Sequence, residues 1–143
     1  MTNEPDSIMA RYRRLFSILR WVPALCWAGV IFGLSHMSEP PDAPPFLPIN
    51  DKVAHMGIYA ILSGLTYWAA RGDYRPRTAA WIAFIFASIY GITDEWHQSF
   101  VPNRTPDIYD WYADVAGAAW VLVHARLCPH LPAWLFPEKG EAS

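Results

Sequence analysis

The sequence predicts an all-α integral membrane protein, a four-helix bundle with both termini cytoplasmic. Three observations carry this. Four uncharged apolar stretches have charges marking their ends; apolar residues wrap every face of these stretches instead of forming one stripe; and the basic residues are distributed lopsidedly between the connections. At 143 residues there is room for about one domain. Charged residues make up 17%, below the ~25% of an average soluble domain. Mean hydropathy is only +0.09, so segmentation decides the class rather than the average.

Residues 1–20 read as a cytoplasmic basic amphipathic segment. Its Ile8–Leu19 run mixes Arg11, Arg13 and Arg14 with Ile, Met, Tyr, Leu and Phe, as an interfacial helix on anionic lipid would. The first apolar stretch, Trp21–Ser35, extends backward if Arg20 snorkels to the interface, and Pro23 falls in its first turn or kinks it. Basic residues before an apolar run also suit a secretory signal. However, Ser35-His36-Met37-Ser38 offers no small-x-small cleavage pattern, so the segment reads as a retained anchor.

The loop His36–Asn50 carries Pro40, Pro41, Pro44, Pro45 and Pro48 and reads as stiff and extended. The second stretch is Val53–Ala70, whose 18 residues would make a helix ~27 Å long, close to the ~30 Å hydrocarbon thickness. The third is Thr78–Thr93. The fourth runs from Trp111 to Cys128, with Asp114 near its start and Arg126 near its end. With the first extended back through Leu15–Leu19, the other three are shorter than the ~20 residues preferred for a span; flanking arginines and end-lying Trp and Tyr side chains make up the difference. The four-helix domain is thus set at 21–128 and a cytoplasmic tail, with Trp134 and Phe136, at 129–143.

Arg11, Arg13, Arg14, Arg20, Arg71, Arg75, Arg77, Arg126 and Lys139 fall on one side of this topology, and only Lys52 and Arg104 on the other. The positive-inside rule therefore places the termini in the cytoplasm of a multi-pass inner-membrane protein. A net charge of −2 argues against nucleic acid as a partner. Cys26 and Cys128 have no disulfide or zinc spacing.

One consequence of the topology is chemical. Glu39, Asp42, Asp51, Asp94, Glu95, Asp107, Asp110 and Asp114 all fall at the outer side or the adjoining helix ends, with His36, His55 and His97, while His124 falls near the inner end. Asp51 and His55 share a helix face at i, i+4. Asp107, Asp110 and Asp114 share another at i, i+3 and i+7 if Pro106 starts the helix. Asp94, Glu95, His97 and Gln98 close the third stretch, so three helix ends are expected to meet at a polar centre.

Each piece also has a structural reading. Asp51 and Asp107 suit helix starts, His97 a loop surface, and Arg104 an ion pair with a neighbouring acid. Asp114 is harder to explain away, because a carboxylate inside an apolar run costs several kcal/mol unless paired.

Two ligands suit the parts. Carboxylates with histidine hold a divalent metal, for which His55, Glu95, His97, Asp110 and Asp114 are the candidates. Arg104 and Lys52 suit instead a phosphate or carboxylate of a lipid-linked envelope precursor. No Ser-His-Asp order, phosphate-cradling glycine loop or HExxH is present, so catalysis on a lipid-linked phosphate has no specific motif behind it. A third role, as structural partner of another membrane protein, would use the polar centre only to hold helices together.

Taken in order, Asp51-Lys52-x-x-His55-x-x-x-Tyr59-x-x-Leu62, Asp94-Glu95-x-His97-Gln98-x-Phe100-x-Pro102-x-Arg104 and Asp107-x-x-Asp110-x-x-x-Asp114-x-x-Gly117 resemble the VanZ-like family over residues 20–125. The resemblance implies a small multi-span bacterial membrane protein of the cell envelope, in a family whose namesake is associated with teicoplanin resistance. By position it draws attention to Asp51, Lys52, His55, Asp94, Glu95, Gln98, Arg104, Asp110 and Asp114. The sequence departs from the family pattern at Asn103, where glycine is expected before Arg104, and at Asp114, where asparagine is common. A later glycine is missing near Val121.

Overall fold

The computed structural model describes residues 4–38 and 51–128, without the side chains of residues 4–7 and 13. The proline-rich loop with Glu39 and Asp42, and the tail at 129–143, lie outside the described residues. Within them the fold is all-α, as expected: α1 Glu4–Leu19, α2 Val22–Ser35, α3 Asp51–Arg71, α4 Pro76–Gln98 and α5 Ile108–Leu127.

Helix starts follow from proline chemistry. Pro23 sits in the first turn of α2 and Pro76 opens α4, where a missing N–H leaves no helical bond unmade. Helices α3, α4 and α5 have 21, 23 and 20 residues, hence lengths of roughly 30–35 Å. They outrun the apolar stretches that announced them, and the added turns carry the acids. The short stretches are thus completed by helix continuing through charged residues. By length and composition together, one described run is apolar enough to cross a bilayer, Ile8–Ser35 across the α1–α2 junction.

Arg20 does not snorkel. It is buried at that junction, its Nη2 3.8 Å from Asp73 Oδ1, while Ser17 Oγ donates to Asp73 Oδ2 at 2.6 Å. The guanidinium lies where a side chain at Gly72 would be. This ties the start of α2 to the α3–α4 turn, at the end of the bundle opposite the polar centre.

The packing is inverted relative to a soluble domain. One core cluster is Tyr67, Ala70, Ala79, Ala80, Ala83, Val121 and Ala125; the other is Ala28, Ile31, Tyr59, Leu62, Ala87 and Ala118. Small residues let helix axes approach closely, most so between α3 and α5, where Gly117 lies against the Met56 carbonyl. Many of the large apolar residues point outward instead. On α4, Trp81, Ile85, Ile89, Ile92 and Trp96 form one continuous stripe, each at least half exposed. Indole and phenol groups donate between helices to backbone oxygens: Trp27 to Ile58, Tyr90 to Ala28, Trp111 to Ser88 and Trp120 to Ala60.

Candidate polar centre

The C-terminal ends of α2 and α4 and the N-terminal ends of α3 and α5 meet, and the centre is built where they meet. It has two halves. In the outer half, Lys52 Nζ donates to Asp107 Oδ2 at 2.6 Å and to Asp110, and lies 4.0 Å from Asp51. Asp107 also caps α5, its Oδ1 accepting from the Tyr109 N–H at 2.9 Å, so its structural and charge-pairing readings both hold. The Lys52 ammonium holds the exposed Asp107 carboxyl below its usual range, and the Tyr109 N–H adds to this. Reciprocally, hydrogen bonds to Asp107 and then Asp110 hold Lys52, which precedes the apolar stretch, above its usual value.

The inner half lies one turn deeper. His55 Nδ1 stands 3.0 Å from Asp114 Oδ1, and the Asp114 side chain is 0% exposed. Glu95 reaches across from α4, its Oε2 accepting from the Asp107 N–H at 2.9 Å. One donor atom each from His55, Glu95 and Asp114 lie within 4.8 Å of one another; the same is true of Asp51, His55 and Asp110. Asp114 Oδ2 and Glu95 Oε1 are enclosed without a hydrogen-bond donor among the described residues.

Other expected members face elsewhere. Gln98 Nε2 donates to Ser35 Oγ at 2.9 Å and to Asp94 Oδ2 at 3.2 Å, linking α4 to α2. His97 leaves the centre, with Nε2 3.3 Å from His36 Nδ1 and its ring stacked on Phe32 at 4.5 Å between centroids. Arg104 pairs with no acid among the described residues. Its Nε donates to the Met37 carbonyl at 3.0 Å and an Nη to that of Leu34 at 3.4 Å, an oxygen that also accepts from the Met37 N–H, so it holds the backbone at the end of α2. Two contributors escaped sequence reasoning. Ser35 gave no signal, but Gly91, isolated in a helical run, did: a Cβ there would stand 3.0 Å from Asp114 Oδ2.

The family model described as VanZ/LLP1 matches residues 21–129, which contain every residue of the centre. The chain belongs to the VanZ/LLP1 family. Among curated proteins, the Uncharacterized protein C11E3.10 of Schizosaccharomyces pombe is 32% identical over 78 residues, 54% of this chain and 47% of that protein. The chain therefore spans about half the length of that relative. No solved structure matches.

Proposed function

We propose that this VanZ/LLP1 protein is a multi-pass protein of the cell inner membrane, both termini cytoplasmic, whose outer-face polar centre binds a cation. The observation that carries the membrane reading is the inverted packing. A core composed mainly of alanine, with a few larger side chains such as Tyr59 and Leu62, wrapped in exposed Ile, Trp, Phe and Leu, is favoured in lipid over water. Basic asymmetry supports the orientation, with Arg71, Arg75 and Arg77 at one end of α3 and α4 and six carboxylates at the other.

The sign of the ligand follows from which charges are already engaged. Of the two cations expected to hold an anionic envelope component, Lys52 is embraced by carboxylates and Arg104 by backbone carbonyls. What is left to compensate is negative charge on Asp114 and Glu95, so a divalent cation fits better than a bare phosphate.

Orientation is tested with Tyr74→Cys and Thr105→Cys, each in a Cys26→Ser, Cys128→Ser background, using a membrane-impermeant maleimide on intact cells. Thr105→Cys should label at once and Tyr74→Cys only after permeabilisation. The reverse pattern overturns the reading.

A further inference from the structure

We infer that the inner half of the centre, formed by His55, Glu95 and Asp114, is a divalent transition-metal site, with Lys52 acting as the built-in cation of the outer half. The inference deepens the cation reading above and rests on it for the side from which the ion enters.

The two halves differ in how their charge is met. Asp51, Asp107 and Asp110 share one ammonium. Among the described residues no lysine or arginine forms an ion pair with Glu95 or Asp114, and His55 supplies at most one positive charge. Asp114 is the telling group. It is fully enclosed, it lies between His55 of α3 and Gly91 of α4, and among the described residues only one of its oxygens has a hydrogen-bond partner. A buried carboxylate oxygen without a donor carries its whole desolvation penalty unless a cation or proton meets it. Glu95 presents a second such oxygen from a different helix. Gly91 brings α4 close to Asp114, and a Cβ there would stand 3.0 Å from Oδ2 and press on it.

The donor set names the class of ion. Two carboxylates and one imidazole suit Zn²⁺ or Mn²⁺ above Mg²⁺ or Ca²⁺, which take all-oxygen shells. Ligand atoms on one such ion lie ~3–4.4 Å apart, given bonds of ~2.0–2.2 Å. Donors within 4.8 Å therefore need only small side-chain rotations to close on it. The three residues come from α3, α5 and α4, so a bound ion cross-links the bundle. Three protein ligands also leave a position for an outside oxygen donor, the one route by which a phosphate could join a centre this acidic.

The test uses the full chain, purified in detergent and stripped with EDTA, titrated with Zn²⁺ and Mn²⁺ by calorimetry and thermal melting. Saturable binding of about one ion per chain should raise Tm, with Mg²⁺ and Ca²⁺ at least ten-fold weaker. Glu95→Gln and Asp114→Asn should each weaken binding at least ten-fold, whereas Asp73→Asn, at the opposite end of the bundle, should leave it within about three-fold. Glu95 is only partly buried and its glutamine variant keeps an acceptor for the Asp107 N–H, so it reports even if Asp114→Asn misfolds. No saturable binding, or binding indifferent to Glu95→Gln, overturns the site and leaves the maleimide result on orientation standing. A proton shared by the carboxylates would then be what meets the buried charge.

Discussion

Replacing Gly117 by alanine should force α3 and α5 apart beside the His55–Asp114 pair. A Cβ at this position would stand 2.1 Å from the Met56 carbonyl oxygen, 2.8 Å from its carbon and 2.9 Å from Met56 Cα. All three are backbone atoms, so no side-chain rotation relieves the contact, and the helices must part by roughly 1 Å to restore ordinary separation. Overpacking costs about 1–3 kcal/mol, and a backbone clash belongs at the upper end. Alanine's better helix propensity returns ~0.8–1 kcal/mol, leaving a net loss of about 2 kcal/mol.

Gly57, on α3 itself, supplies the control, because a Cβ there meets nothing within 4 Å. Gly57→Ala should stabilise the helix by up to ~1 kcal/mol through the same propensity. One chemical change thus has opposite signs at two sites. Unfolding followed by circular dichroism in a fixed detergent measures both. A Gly117→Ala protein as stable as the parent would refute the close α3–α5 approach, and with it the depth at which Met56 holds its neighbour His55.

Arg104→Gln should cost about 1 kcal/mol in the same assay, from loss of the hydrogen bonds to Leu34 and Met37. Swapping Arg104 with Asp110 should rescue nothing; rescue would mean that the two form an ion pair after all. The Lys52–Asp107 contact makes an acid-sensitive link. Asp107's folded pKa lies below its usual 3.8, so the contribution is present above that value and fades as pH falls through the folded pKa. Melting temperatures of parent and Asp107→Asn between pH 6 and 3 should therefore converge toward the acid end. Curves that stay parallel would count against the contact.

The meeting of three helix ends was legible because it needs only periodicity and alternation of direction. Asp51 with His55, and Asp107 with Asp110 and Asp114, are spaced to share faces, and they do face one another across α3 and α5. The turn before Arg104 was legible in part. Asn103 takes φ 64°, a left-handed conformation suited to the glycine expected there and tolerated by asparagine more readily than by other side chains. Arg104's role was not legible, since its partners are carbonyls at and just past the end of α2, 70 and 67 residues earlier in the chain.

At the end of α4, helix geometry alone separates two of the expected ligands. At ~100° per residue, Glu95 and His97 project about 200° apart, on opposite sides of one helix. Both cannot line a single centre, whatever the tertiary fold. Asp94 and Gln98 are only ~40° apart, and they do act together, toward Ser35 on α2. Angular spacing therefore removes His97 from any metal set that contains Glu95. What it cannot do is choose which residue faces which helix, because that depends on the α4–α5 approach set by Gly91 against Asp114. The division of the centre into a lysine-filled half and a half with unmet buried charge lives at this tertiary level. It turns on Lys52 reaching Asp107 and Asp110 across 55 and 58 residues of chain, while Asp114, one turn further along α5, finds only His55 among the described residues.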